Sequence, residues 1–164
     1  MRKELAVPFA IGLAVILVAV CAVLYMQRGA HIELRGTVLK VRTLALEENA
    51  SLAVVDFRFA NPADYPFVVR SCILLVEDPS GKEQEGASIP ELDIRRIFEY
   101  YPLLGKKYNE SLVLKDKIAA RSSEDRMIAA RFEIPQSLLD ARKSLKVRIE
   151  DVDGPVSELV ESRK

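Results

Sequence analysis

The feature that most constrains this chain is an uncharged stretch near its N-terminus. No residue between Glu4 and Arg28 carries a charge, and apolar residues dominate the run from Leu5 to Gln27. A helix needs about 20 apolar residues to cross the hydrocarbon core of a bilayer. This run is apolar all round, whereas an amphipathic surface helix has a polar face. The sequence therefore predicts a single transmembrane helix here.

The charges that flank this run predict its orientation. Arg2 and Lys3 precede the run, whereas Arg28 alone follows it closely. Because basic residues beside a span favour the cytoplasmic side, we expect the larger C-terminal part to be extracytoplasmic, either periplasmic or extracellular. The predicted organisation is a cytoplasmic N-terminus at 1–4, a signal anchor at 5–27, a short linker at 28–30, an extracytoplasmic β-sandwich domain at 31–160 and a tail at 161–164.

Two processing events are alternatives to a permanent anchor. A cleaved signal peptide has a shorter apolar core, followed by a pair of small residues at the cleavage site. This run is longer and lacks a clean pair of that kind. Cys21 invites comparison with a lipoprotein signal, but Val20 before it is not small, and further apolar residues follow it. Cleavage of the anchor stays open at this point, and an uncleaved anchor is the prediction.

The rest of the chain carries the short alternating segments of a β-sheet protein. In Leu52–Phe59 alternate apolar residues point one way, and Asp56 and Arg58 point the other. Residues 31–46 alternate less regularly, with Gly36 suggesting a bulge or bend, and form one long strand or two short ones. Further strands are predicted at 67–77, 111–118, 127–134, 145–151 and 156–160. Turn signals about every ten residues favour an antiparallel sandwich or barrel.

One segment breaks this pattern and predicts a helical insert between strands. Ser88–Glu91 has the spacing of a capping box, and Pro102 disfavours helix before it. Apolar residues between them recur at the spacing of one helical face, namely Ile94, Ile97, Phe98 and Tyr101. The simplest interpretation is that this face covers one open end of the sandwich. The alternative is a partner-contact surface, because interfaces favour Tyr and Arg. Its candidate residues are Arg95, Arg96, Tyr100 and Leu103.

Charge and composition argue against several classes of function. The 24 basic and 24 acidic residues cancel, and the chain lacks the basic excess or stripe that nucleic-acid binders show. One histidine, His31, and two separated cysteines, Cys21 and Cys72, leave no residue set for a zinc site or a disulfide. No phosphate-binding loop, dinucleotide fingerprint or nucleophile elbow occurs. We therefore expect no catalytic residues, no metal, no cofactor and no nucleic-acid partner.

The segment from Val54 to Pro62, with the long apolar strand that starts at Phe67, is similar to part of a known family. It resembles the immunoglobulin-like β-sandwich of the late-embryogenesis-abundant, water-stress and hypersensitive-response domains, called WHy-type. In that family a strand ends in Asn-Pro before the next strand begins, as at Asn61-Pro62 here. The family's further polar residue is replaced by Ala63. The resemblance implies a stress-protective or membrane-associated binding protein without catalytic residues.

Three functions fit these expectations. The leading one is a non-enzymatic, single-pass membrane protein of the cell envelope whose outward sandwich binds a protein partner or a lipid. The second is an accessory subunit of an envelope membrane complex, in which the small residues Gly12 and Ala14 let another helix approach closely. The third is a hydrolase at the membrane surface, using paired carboxylates such as Glu47-Glu48 or Glu124-Asp125, which fall in predicted turns. The sequence specifies no oligomeric state.

Overall fold

The computed structural model describes residues 3–27 and 33–162, and the chain divides into two compact units at residues 32 and 33. Helix α1, Lys3–Gln27, forms the first unit, so the helical conformation predicted for this run is confirmed. Over the part of the chain that the structure describes, no helix has both the length and the apolar character that a membrane crossing requires. The transmembrane span therefore stays a prediction from the sequence. The predicted linker and His31 lie outside the described residues.

The second unit is mainly β, with two sheets, which agrees with the predicted fold class at that level. Its strands are β1 Arg35–Glu47, β2 Ala50–Ala60, β3 Phe67–Glu77, β4 Glu83–Glu85, β5 Ala87–Ser88, β6 Glu110–Ser111, β7 Lys117–Ile118, β8 Ser123–Phe132, β9 Ser144–Asp151 and β10 Val156–Val160. Its helices are α2 Glu91–Tyr100 and α3 Gln136–Asp140, and a 3₁₀ turn spans Pro102–Leu104. The predicted strand at 67–77 and the predicted hairpin strand at 156–160 match β3 and β10 residue for residue.

Each sheet contains long strands, and short strands pair along part of one edge. Sheet 1 has the order β1-β2-β8-β5, with β6 also on β8; sheet 2 has the order β10-β9-β3-β4, with β7 also on β3. All pairs are antiparallel except β6 with β8. β5 and β6 pair with residues 130–131 and 126–127, which leaves the edge of β8 interrupted near Ile128. β4 and β7 likewise leave the edge of β3 interrupted between them.

The main core lies between the two sheets. Register places Val55 opposite Ile128 in sheet 1 and Cys72 opposite Ile149 in sheet 2, on the inward faces. The alternation predicted for the inward side of β2 is confirmed, because its apolar residues on this face are fully buried. Large side chains that complete the core are Phe57, Phe59, Phe67, Leu74 and Ile149.

A second apolar cluster covers the outer face of sheet 1. Ile94 of α2 packs with buried residues of β2, β8 and the 3₁₀ turn, namely Leu52, Val54, Leu104, Met127 and Ala129. These strand residues alternate with the inward-facing ones, so β2 is apolar on both faces. The helical insert therefore lies across the outer face of sheet 1, and the interpretation that it covers an open end of the sandwich is wrong.

Two local expectations also differ from the structure. The capping box is wrong, because Pro90 is the N-cap of α2, no side chain caps the helix, and Ser88 belongs to β5. The continuous strand predicted at 111–118 is wrong as well, because only its two ends pair, as β6 and β7. Between them Lys115 has a φ of 69°, a left-handed conformation that breaks an extended strand.

Candidate functional site

A cavity of about 540 Å³ opens on the side of the sandwich where the edges of β3 and β8 are interrupted. We call it the open-side cavity. Both sheets, α2 and the segment after β6 contribute to its lining, with Cys72, Ile89, Ile94, Leu112, Leu114 and Ile128 among the apolar residues. Small-molecule pockets have volumes of about 300–1,000 Å³ and mostly apolar walls. The open-side cavity has the size and lining of such a pocket.

The excursion of the chain through α2 creates this cavity. The chain leaves the edge of β8 after β5, forms α2 and returns to the same edge at β6. Backbone hydrogen bonds hold the chain against β8 on both sides of α2. Ile89 N donates to Ala129 O at 3.0 Å, and Leu112 N donates to Met127 O at 2.9 Å. The rims of the cavity are therefore held by β8 itself, and the gap between them exposes Ile128 to the cavity.

Glu91, the first residue of α2, supplies a charged group to this lining. Its Oε1 accepts hydrogen bonds from Lys107 Nζ at 2.5 Å and from Arg95 Nε at 3.1 Å. Burial by itself would raise the pKa of this carboxyl group, but hydrogen bonds from Lys107 and Arg95 and the nearby hydroxyl of Ser111 outweigh it and lower the pKa to about 2. Glu91 is therefore ionised throughout the physiological pH range.

Two polar atoms of residues that line the cavity are themselves buried, each with almost no accessible surface. Glu91 Oε2 and Ser111 Oγ have no hydrogen-bond partner of normal geometry among the described residues. The Ser111 hydroxyl lies near enough to the carboxylate to favour its charged form, yet this proximity does not give either atom a well-formed bond. Ser111 as a whole is only 9% exposed, and both residues line the open-side cavity.

Cys72 contributes a thiol from the inward face of β3. Burial raises the pKa of this thiol to about 12, so it stays protonated near neutral pH. A thiol is a weak nucleophile compared with a thiolate. Both cysteines, Cys21 and Cys72, are free, as expected from the sequence.

The candidate partner-contact residues all lie at the surface. Tyr100 and Leu103 are 79% and 92% exposed. Arg95 pairs with Glu91, and Arg96 pairs with Asp93 at 3.7 Å; both guanidinium groups are largely exposed. Of the four residues, only Arg95 adjoins the open-side cavity, through its bond to Glu91. A role of these residues in binding a partner stays a prediction.

The sequence does not mark the cavity residues as a site. Its patterns predict Cys72 and Ile128 as ordinary core residues of strands, Ser111 as the start of a strand, and Glu91 as part of a helix cap. The spacing of Ser88 and Glu91 did mark the place where the chain turns into the helix, but no sequence signal indicated that the edge of β8 would be left open there.

The paired carboxylates Glu124 and Asp125, suggested for a hydrolase, take part in ion pairs with arginines. Among the described residues, no group of three or more His, Cys, Asp or Glu side chains could hold a metal ion. The carboxylates suggested for a hydrolase are engaged by arginines: Glu124 with Arg126 at 2.6 Å, and Asp125 with Arg58 at 2.6 Å. The Asp125–Arg58 pair is exposed, whereas the Glu124–Arg126 pair is half-buried.

No family model, curated protein or solved structure matches this chain. The resemblance to WHy-type domains and the immunoglobulin-like classification therefore stay predictions from the sequence. The open-side cavity is therefore the feature of the described residues that bears on function.

Replacing Glu91 by Gln should destabilise the domain at neutral pH, and the difference should shrink in acid. In the fold the pKa of Glu91 is lowered from 4.5 to about 2. Its contribution is therefore fully present above about pH 4.5 and is lost as the pH falls towards about 2. We expect a cost of about 1 kcal/mol at pH 7, because water partly screens this carboxylate. Urea unfolding at pH 7 and pH 3 measures it, and an equal cost at both pH values would contradict the prediction.

Proposed function

We propose that this chain is a non-enzymatic binding protein whose β-sandwich takes up an apolar ligand through its open side. The observation that carries this proposal is the open-side cavity, which combines a volume of about 540 Å³ with an apolar lining. Its rims at Ile89 and Leu112 are tied by backbone hydrogen bonds to β8. A pocket on such elements needs little rearrangement to accept a ligand, and preformed sites avoid part of the entropic cost of binding.

The polar groups of the cavity favour binding over catalysis. The Cys72 thiol, with a pKa of about 12, remains protonated. The Glu91 carboxylate, with a pKa of about 2, is a poor general base near neutral pH. The Ser111 hydroxyl therefore has no effective base beside it among the described residues. These groups suit a site that holds a ligand by contact and hydrogen bonding.

The location that we propose rests on the sequence. The uncharged run from Leu5 to Gln27 would anchor the chain in a membrane by a single span, with the sandwich on the extracytoplasmic side. A domain held there has access to apolar molecules that partition into lipid. The cavity would then bind a lipid-like ligand, which agrees with the lipid binding predicted from the sequence.

A second candidate function is contact with a protein partner through α2 and the 3₁₀ turn, as in an accessory subunit of a membrane complex. The observation that favours it is the exposure of Tyr100 and Leu103, which together present an aromatic and an aliphatic side chain to solvent. Single exposed apolar residues are common on protein surfaces, so this surface carries less weight than the cavity.

Protection of the Cys72 thiol tests the binding proposal at the site itself. The full chain is labelled slowly with methyl methanethiosulfonate at increasing concentrations of N-phenyl-1-naphthylamine, a small apolar probe. Peptide mass spectrometry then follows Cys72 and Cys21 separately. We expect the probe to slow labelling of Cys72 in a saturable manner and to leave Cys21 unchanged, since Cys21 lies in the other unit.

Two substitutions in β5 provide a matched pair for this experiment. Both residues of β5 are exposed, but Ser88 lines the open-side cavity and Ala87 does not. Ser88→Phe should weaken the apparent affinity of the probe by about tenfold or more, the equivalent of about 1.4 kcal/mol. Ala87→Phe adds the same ring and should leave the affinity unchanged. Unprotected Cys72, or equal effects of the two substitutions, would refute binding in the cavity.

A further inference from the structure

We infer that residues 113–116, at the mouth of the open-side cavity, dock this domain onto the surface of a membrane that contains anionic lipid. We call these residues the rim turn. The inference deepens the proposed function and rests on it, because it names the surface from which an apolar ligand enters the cavity.

Two apolar side chains of the rim turn are exposed beside the cavity. Val113 and Leu114 are 42% and 66% exposed, and both belong to the cavity lining. Leu112, the residue before them, lines the same cavity but is only 6% exposed. Apolar surface therefore continues from solvent at Leu114 to the interior of the cavity. An acyl chain that follows this surface would leave a bilayer without entering water.

Hydrogen bonds hold the rim turn in this exposed position. Within it, Asp116 N donates to Val113 O at 3.2 Å, and Val113 N donates to Asp116 Oδ2 at 3.0 Å. The turn is tied to β3, because Lys115 N donates to Val69 O at 2.8 Å and Val69 N donates to Asp116 O at 2.9 Å. Lys115 has a left-handed φ of 69°, which residues other than glycine keep only where their surroundings fix it. Leu114 therefore stays exposed unless these bonds break.

Lysines beside the apolar tip favour an anionic lipid surface as its partner. Lys115 and Lys117 are exposed, and neither forms an ion pair with another described residue. Anionic head groups attract lysines near a membrane surface, and neighbouring apolar side chains can then enter the acyl region. Two apolar side chains offer far less than the roughly 800 Å² that each partner buries in a stable protein complex. The size and charge of the rim turn thus fit a lipid surface better than a protein.

A tryptophan placed at the tip tests this contact, because the chain has none of its own. Full chains with Leu114→Trp, Val160→Trp or Leu103→Trp are incorporated into phosphatidylcholine–phosphatidylglycerol vesicles that contain brominated acyl chains, which quench tryptophan inside the bilayer. Val160 is 50% exposed and aligns through β9 with Leu75, near the other end of β3. We expect at least about threefold more quenching at position 114 than at position 160. Equal quenching at both, or stronger quenching at position 103, would overturn docking through the rim turn.

Charge substitutions in the Leu114→Trp chain provide a second test. Lys115→Gln combined with Lys117→Gln should reduce the quenching by several-fold, because the attraction to phosphatidylglycerol is lost. Lys82→Gln combined with Lys143→Gln removes the same charge from exposed positions near the other end of β3 and should leave the quenching unchanged. Circular dichroism verifies the fold of each variant. Equal losses in the two pairs would mean that net charge alone attracts the domain, and would overturn the assignment.

The Cys72 protection experiment, run without vesicles, separates this inference from the proposed function. Saturable protection of Cys72 without preferential quenching at position 114 would keep the cavity as a binding site and overturn its docking on lipid. Preferential quenching at position 114 with an unprotected Cys72 would overturn the proposed function, and with it the role of docking in ligand entry.

Discussion

Replacing Asp56 by Ala is expected to lower the free energy of unfolding by about 3–5 kcal/mol, because it leaves a buried guanidinium without its counter-charge. Asp56 Oδ2 lies 2.7 Å from Arg42 Nη2, and the two side chains are only 5% and 8% exposed. The pair sits on the outer face of sheet 1. Once Asp56 is removed, the hydrogen-bond partners of the Arg42 guanidinium among the described residues are neutral backbone oxygens.

The pair also secures the segment that leads to the cavity. Arg42 Nη1 donates to the backbone oxygens of Leu104 at 2.8 Å and Lys106 at 2.9 Å. Its guanidinium carbon lies 5.0 Å from the ring centre of Phe98. Asn109 Nδ2 in turn donates to Asp56 Oδ1 at 2.9 Å. Loss of Asp56 should therefore loosen residues 104–109 as well as lower global stability.

Two controls make this measurement specific. Asp125 forms a similar pair with Arg58 across neighbouring strands, but that pair is exposed, so Asp125→Ala should have only a small effect. The double substitution Arg42→Met with Asp56→Leu removes both charges and should be far less destabilising than Asp56→Ala alone. Urea unfolding monitored by circular dichroism compares them. If the double variant were as unstable as Asp56→Ala, the uncompensated charge would not be the cause.

The outer face of sheet 1 shows why part of the fold could be predicted and part could not. Alternation in Leu52–Phe59 correctly identified a strand and its inward side, because side chains on a strand alternate strictly. The same pattern cannot reveal what covers the other side. Leu52 and Val54 are apolar on that outer side, and only the tertiary structure shows that Ile94 of α2 packs on them.

The candidate site was harder to predict, because it depends on a short part of the β8 edge that β5 and β6 leave unpaired. The helix at residues 91–100 could be anticipated from its apolar spacing, and its end could be anticipated from Pro102. The open-side cavity exists because β5 and β6 are each only two residues long and leave Ile128 between them. Strand length and register across long separations are set by tertiary contacts, which no local periodicity encodes.

Gly36 is a further residue whose structural role the sequence could not specify. Its substitution is the second change that we expect to lower stability strongly. The sequence pattern suggested a bulge or bend at this glycine. The structure instead runs β1 unbroken from Arg35 to Glu47, with pairing irregularities at 38–40 and 45–47. Gly36 is required because a Cβ there would lie 2.1 Å from Arg58 O and 2.8 Å from Phe59 Cα.

Gly36→Ala should therefore cost about 3 kcal/mol, at the upper end of what overpacking usually costs. The atoms in the way belong to the backbone of β2, which cannot rotate aside, so β1 and β2 must move apart. The start of β1 is also tied to sheet 2, because Leu34 N donates to Ser157 Oγ at 2.8 Å. Separation of β1 from β2 would strain this bond as well.

Thr37→Ala is the matched control for this substitution, since Thr37 is the exposed neighbour of Gly36 in β1. It should change the free energy of unfolding by no more than about 0.5 kcal/mol. Thermal or urea unfolding of both variants measures the contrast, and amide hydrogen exchange along β1 reports where the sheet opens. A Gly36→Ala variant as stable as Thr37→Ala would mean that the two strands can separate locally without loss, and that the close approach at Arg58 is not a constraint on this sheet.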